Sequence, residues 1–173
     1  MSASVESAFL KYSREKLEQL AARIAASLDL LTAEQVWARG SASENAIGNL
    51  VLHLCGNVRQ WIGFGVAGRE DVRTRDSEFA ATGGLEIGEL KARLAATIAD
   101  ASAVLAGLPP NRLTERMTVQ GYDVTVLEGI YHVVEHFSGH TGQILFATKW
   151  LTGRDLAFYE HLREVGPHEE TVP

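Results

Sequence analysis

A single cysteine, Cys55, in 173 residues leaves no internal disulfide framework to build on, and it suits a chain that works in a reducing cytoplasm. Basic residues are scarce: 16 Lys and Arg stand against 22 Asp and Glu, a formal net charge of −6. That balance, with a pI near 5.5 and no basic cluster, excludes the electrostatic footprint of a nucleic-acid-binding protein. No apolar run approaches the roughly 18 residues that a membrane span requires. The opening residues, MSASVESAFLKYSREK, lack the basic stretch followed by an apolar one that marks a signal peptide. The serine-nucleophile elbow, the phosphate loop and the Gly-rich dinucleotide fingerprint are all missing. No repeat or low-complexity segment appears. The expectation is a soluble, acidic, cytoplasmic protein that engages neither nucleic acid nor membrane.

What is present is an ordinary globular composition, 46% hydrophobic and 22% charged. Its length is ample for one continuous core. The apolar positions recur with helical period. Phe9, Leu17, Leu20, Ile24, Leu28 and Leu31 share one stripe of a helix over 4–31. Ser41-Ala-Ser43-Glu44-Asn45 offers a polar cap, and Ile47, Leu50, Val51, Leu54, Val58, Trp61 and Ile62 form the stripe of a second helix over 44–66. From Gly65 to Gly84 the chain turns polar and reads as an ordered crossover or loop. A third helix covers 85–107 until Pro109 and Pro110 stop it, because proline cannot continue the hydrogen-bond ladder. LTERMTVQGYDV at 113–124 fits a short β-hairpin or irregular connection. The fourth long helix runs over 124–151 with Gly153 as its C-cap. A short helix over 155–163 and a fraying tail complete the chain. The fold class is therefore all-α, a four-helix bundle with a short C-terminal helix. Residues 1–165 form a single domain and 166–173 a flexible tail. The long connection after helix two can cross the length of the bundle, which permits helices two and three to run parallel.

Histidines carry the chemistry. His53 lies in the second helix, and His132, His136 and His140 lie in the fourth. A spacing of four stacks side chains on one helix face, close enough to share an ion. Imidazole suits zinc, nickel, copper or iron(II), and three such ligands leave positions open. Each four-residue step drifts about 40° around the helix. Relative to the apolar stripe of helix four, His140 lies nearest its edge, His136 further out and His132 nearest the polar side. A site sunk into the bundle favours His136 and His140. The same wheel puts His53 on an arc with Asn57, Gln60 and Phe64, outside the main stripe, so periodicity alone does not aim it inward.

Other residues weigh less. Cys55 points away from His53 and reads as a small buried hydrophobe. Trp37, Trp61 and Trp150 read as core or interface residues. Glu128 and Glu135 are candidate bases set against a commoner role as solvated carboxylates. Ser138 lacks an orienting acid. Gln143 and Asn57 are candidates to hold an imidazole or a bound water through a further hydrogen bond.

Two segments carry a resemblance. SENAIGNLVLHLCGNVRQWI and YHVVEHFSGHTGQILFATKWL, the latter with its His136-x-x-x-His140-x-Gly-Gln-Ile phrase, resemble the second and fourth helices of the DinB/YfiT-like superfamily. GREDVRTRDSEF and KWLTGRDLAFYEHL add to a likeness that spans most of residues 41–161. It implies an up-down-down-up bundle, often homodimeric, with His53, His136 and His140 on one divalent cation, zinc or nickel. In some branches of that superfamily it also implies a thiol-dependent transferase or isomerase using bacillithiol, mycothiol or glutathione. Three neutral ligands with open positions are the arrangement of a catalytic metal. The leading expectation is thus a transferase or hydrolase acting on a small molecule, with a small thiol as its partner. A metal-binding or stress-response module without catalysis is the alternative. The third reading is a dimeric helical interaction protein with ordinary histidines.

Overall fold

A computed structural model of the chain describes residues 4–160. Helix α1 (Val5–Leu28) starts where the Ser4 hydroxyl accepts from the Ser7 amide at 3.2 Å, satisfying one of the free donors of a helix start. It buries Leu10, Leu17, Leu20, Ile24 and Leu28. Each such side chain contributes roughly 1.5–3 kcal/mol when taken out of water. A short α2 (Ala33–Trp37) follows. Helix α3 (Ile47–Val58) continues without a break into a wide-turned π-helical segment, Arg59–Val66. It begins at Ile47 rather than 44, because the Asn49 side chain folds back onto the Ala46 amide at 3.1 Å. A crossover carrying the short α4 (Arg75–Ala80) leads to α5 (Ile87–Gly107). One turn of 3₁₀ helix, Pro110–Thr114, precedes an antiparallel hairpin of β1 (Arg116–Val119) and β2 (Tyr122–Thr125). Gln120 and Gly121 turn it with positive φ at both positions, the geometry of a two-residue hairpin turn. Helix α6 (Val126–Thr152) ends on a left-handed Gly153, as expected.

The four long helices form a ring in which α1 and α3 each pack on both α5 and α6. Named contacts give their directions. Lys91 at the start of α5 pairs with Asp29 just beyond α1, and Ser102 bonds Glu18, so α1 and α5 are antiparallel. His53 meets His136 while Trp61 meets His132, so α3 and α6 are antiparallel. Gln35 beyond the end of α1 bonds the Leu151 carbonyl at the end of α6, while Val5 and Phe9 at the start of α1 share a cavity with Leu127 at the start of α6, so α1 and α6 run together. The order is up-down-down-up, with α3 and α5 parallel and the crossover running between their opposite ends.

That crossover is tied down. The Asn49 amide donates to the carbonyls of Glu78 (2.9 Å) and Ala81 (2.7 Å), and Arg39 donates to Phe79 (2.7 Å) and Ala81 (3.1 Å). These bonds satisfy free carbonyls at the end of α4 and press it onto the outer face of α3. The expected C-terminal helix is corrected over 155–160, which are non-helical apart from a single 3₁₀ position at Glu160. There the Asp155 carboxylate accepts from the Ala157 amide at 3.1 Å in an Asx turn, and the positive φ of Ala157 turns the chain out of the right-handed helical path. The remainder of that helix and the 166–173 tail lie outside the described residues. No helix among the described residues is long and apolar enough to cross a membrane.

Candidate metal centre

His53 is 5% exposed although its own helix does not aim it at the core. Nearly every side of α3 is buried, because the crossover covers the face that a free helix would show to water. His136 and His140 project from α6, half-buried, against it. One nitrogen from each of the three rings falls within a set whose members all lie within 4.8 Å of one another. The Nε2 atoms of His53 and His136 are 3.0 Å apart.

The other nitrogens show which lone pairs face inward. His53 Nδ1 lies 3.0 Å from Glu78 Oε2, and His140 Nδ1 lies 2.8 Å from Gln143 Oε1. Arg73 Nη2 also lies 3.1 Å from His53 Nδ1, but it is committed to Glu78 Oε2 at 2.8 Å. With Nδ1 protonated toward Glu78 on His53 and toward Gln143 on His140, each Nε2 keeps its lone pair. Two Nε2 lone pairs at 3.0 Å need a proton or a cation between them. A shared proton held on His136 Nε2 leaves that ring's Nδ1 as a bare acceptor, and Nδ1 is indeed buried without a partner. Asn57 Oδ1 and Trp61 Nε1 on the facing helix are also buried and unpartnered, a density of unsatisfied polar atoms that native cores avoid away from functional sites. The donor set fits a divalent transition metal: three imidazoles, one of them backed by a carboxylate in the carboxylate–histidine arrangement that orients metal ligands.

Glu78 is the residue that the sequence did not disclose. It reaches His53 from α4 and is itself gripped by Arg73, whose Nε donates to Oε1 and Nη2 to Oε2, both at 2.8 Å. The pair is buried, with side-chain exposures of 4% for Arg73 and 9% for Glu78. Arg73 Nη1 donates to Gln60 Oε1 at 2.9 Å, which also accepts from Gln120 at the hairpin tip at 2.6 Å. Phe79 covers the His53 ring with centroids 4.7 Å apart.

Gly56 makes room for this arrangement. A Cβ there would sit 1.8 Å from Glu78 Oε1 and 2.9 Å from Arg73 Nε. A glycine inside a helix costs about 1 kcal/mol against alanine and calls for a packing reason. That was the signal in the sequence that could have pointed to a group seated on α3 at this level. Gly56→Ala is therefore expected to destabilise the protein by about 2 kcal/mol despite its better helix propensity, as an overpacked core does. Urea unfolding checks this, and an equal or higher midpoint would contradict the packing.

Burial lowers the pKa of His136, and the neighbouring His140, His53 and His132 lower it further, to about 3. Burial likewise lowers His140 and His132. Both cluster histidines of α6 are thus neutral at pH 7, as ligands must be. Burial would raise the Glu78 carboxyl, but the hydrogen bonds from Arg73 and His53 outweigh it and hold the group below its ordinary value. Between its ordinary value of 6.5 and about 3, His136 is protonated more in the unfolded chain than in the folded one. Stability of metal-free protein therefore falls as pH drops through that window. The Glu78 contribution is complete above 4.5 and is lost below it. The urea midpoint is expected to decline from about pH 7 to about pH 3, with a shallower decline in His136→Gln. A midpoint flat from about pH 7 to about pH 5 would contradict the burial of neutral imidazoles.

The remaining candidates separate cleanly. His132 stays outside the cluster, stacked on Trp61 with centroids 4.4 Å apart. Glu128 closes the α6 capping box with Thr125, accepting from its amide at 2.6 Å, so it is a structural carboxylate. Glu135 and Ser138 are exposed. Gln143 holds His140 as expected, whereas Asn57 makes no hydrogen bond to His53. Cys55 is buried, and desolvation raises its thiol pKa, only partly offset by a bond from Thr97 and by Arg59 and Arg93. It is a core residue.

A family model described as a protein of unknown function, DUF1572, matches residues 4–160. The chain belongs to the DUF1572 family. Among solved structures, the DUF1572 chain is similar to one described as the conserved protein of a locus from Enterococcus faecalis. The two share 16% identity with a TM-score of 0.71, covering 88% of this chain and all of that one. At that identity the likeness shows the fold alone. No curated protein sequence matches the DUF1572 chain.

Proposed function

We propose that His53, His136 and His140 bind one divalent transition metal, zinc or nickel, and that the protein is a DinB/YfiT-like metalloenzyme. It acts on a small molecule as a transferase or hydrolase, with a small thiol as co-substrate. The observation that carries this reading is the convergence of three imidazoles whose outer nitrogens on His53 and His140 are already engaged by Glu78 and Gln143. When bound, such an ion supplies Lewis acidity, lowering the pKa of a water or thiol that joins it. The chain's own residues do the rest. Glu78 and Gln143 fix the tautomers of two ligands, Arg73 holds Glu78 in place, and Phe79 shields His53 from water. Cys55 is too buried to be the thiol, so a thiol must arrive as a separate molecule.

Metal analysis of protein purified without a histidine tag tests the reading. About one equivalent of a transition metal per chain is expected. Less than about one-tenth of an equivalent, with no gain on reconstitution, would sink it.

The second reading is a non-catalytic module in which the ion ties α3 to α6, and the position of the cluster across those two helices favours it. Under that reading metal loading raises the melting temperature but leaves thiol-transfer and hydrolysis assays at background.

We further propose a homodimer in the cytoplasm. Phe146 and Trp150, 74% and 76% exposed and one turn apart on α6, form an apolar stripe beside the open positions Gly139 and Gly142, a face suited to another helix. Light scattering should give twice the chain mass, and a monomer at tens of micromolar would contradict this part.

A further inference from the structure

We propose a second ligand site, for a small anion bearing carboxylate or phosphate groups, in the cavity between α3, the crossover and α5. The cavity has a volume of about 400 Å³, within the range of small-molecule sites. Leu52, Gly56 and Arg59, three and four residues apart on α3 and its continuation, form its floor. It lies on the α5 side of α3, whereas the histidines meet α6, so it is distinct from the metal centre and the inference does not depend on metal.

Its charges decide the ligand. Arg73 and Glu78 at the back wall neutralise each other. Asp71 accepts from Gln60 Nε2 at 2.7 Å and from the Arg73 amide at 3.1 Å; these neutral donors leave its charge in place, so at the rim it opposes an anion as Glu70 does. Arg59 and Arg93 also line the cavity, and among the described residues neither has a carboxylate within 4.0 Å. The one side-chain bond of Arg59 runs from Nε to the Cys55 carbonyl at 3.2 Å, which leaves its terminal nitrogens available. The remaining arginine that lines the cavity, Arg73, is paired with Glu78. Two guanidiniums without a carboxylate partner beside a cleft open to solvent offer fork-shaped donors that match carboxylate and phosphate oxygens. Glu70, exposed on the same cavity, opposes them. It limits how much negative charge the site accepts, and removing that charge should tighten binding.

Arg73 is common to both sites: it lines this cavity and holds Glu78 against His53. A ligand that engages the cavity is therefore separated from the histidine cluster by one ion pair.

The test is calorimetric titration of metal-free protein with inorganic phosphate and, separately, with succinate, each against sodium chloride of matched ionic strength. Saturable binding of at least one probe at about one equivalent is expected, and which probe binds more tightly separates a phosphate ligand from a carboxylate one. Arg59→Gln with Arg93→Gln, both at exposed positions, should weaken that binding about tenfold or more, the loss of a charge-assisted pair. Glu70→Gln should strengthen it about twofold to threefold. His136→Ala should leave it unchanged, which separates failure of this site from failure of the metal centre. No saturation by either probe up to about 10 mM, or equal binding by the double variant, would overturn the proposal.

Discussion

Glu78→Ala is expected to lower stability by about 3–5 kcal/mol, the cost of stranding one member of a buried ion pair. Its partner Arg73 has a side chain only 4% exposed. With the carboxylate gone, that guanidinium keeps Gln60 as its one oxygen acceptor and abuts His53 Nδ1 at 3.1 Å, which loses the acceptor that fixes its tautomer. For a chain of this length each kcal/mol shifts the melting temperature by roughly 2–4 °C, so the fall is on the order of 10 °C. The same substitution should weaken metal binding about tenfold to a hundredfold, the usual effect of removing the carboxylate behind a ligand histidine. Because desolvation makes the ion pair costly in itself, Glu78→Ala with Arg73→Met should recover much of the lost stability without recovering the metal affinity. A Glu78→Ala protein that melts within about 2 °C of the parent would show that the pair is not buried as described.

His136→Ala has the largest expected effect on the centre itself. His136 meets both other rings closely, with His53 Nε2 at 3.0 Å and the His140 centroid at 4.5 Å. Removing it leaves two imidazoles on opposite helices, and affinity for zinc or nickel should fall more than about a hundredfold. The metal-free variant is expected to be as stable as the parent or slightly more so at acid pH, because a buried imidazole that resists protonation has been removed. The two proteins should separate only when metal is added: the parent gains melting temperature in proportion to the logarithm of metal concentration, and the variant does not. His132→Ala serves as the control. It sits in the same ladder but outside the cluster, so its metal affinity should match that of the parent. Competition titration with a chromogenic chelator measures all three, and equal affinities for the parent and His136→Ala would remove the α6 pair from the site.

Much of the frame was legible in the periodicity. The stripes of α1, α5 and α6 agree with the observed helices to within about three residues, because each presents one apolar face to one core. The reach of the polar connection permitted, without requiring, the parallel pairing of α3 and α5. The helical wheel also picked out the α6 histidines that lie together with His53, because the outward drift per four-residue step separates His140 and His136 from His132. It failed on His53 for a definite reason. A wheel describes a helix with one wet face, and α3 has almost none: the crossover, held by Asn49 and Arg39, dries the face that carries His53. From Arg59 onward the turn widens to a π-helix, so angular positions extrapolated at 100° per residue no longer apply to Gln60 and Trp61. Glu78 and Arg73 were invisible for a related reason. They lie in a polar, aperiodic stretch whose role is set by tertiary docking, and only Gly56 betrays in sequence that something must fit against it.

X-ray absorption spectroscopy of the protein loaded with one equivalent of zinc or nickel tests the central claim most directly. The account predicts a single class of ion with a first shell of nitrogen and oxygen atoms, about three of them imidazole by their outer-shell scattering, and no sulfur despite the presence of Cys55. Loss of one imidazole in His53→Ala and in His140→Ala, with no change in His132→Ala, would assign the ligands individually. A first shell free of imidazole, or one unchanged by all three substitutions, would contradict a centre built from His53, His136 and His140.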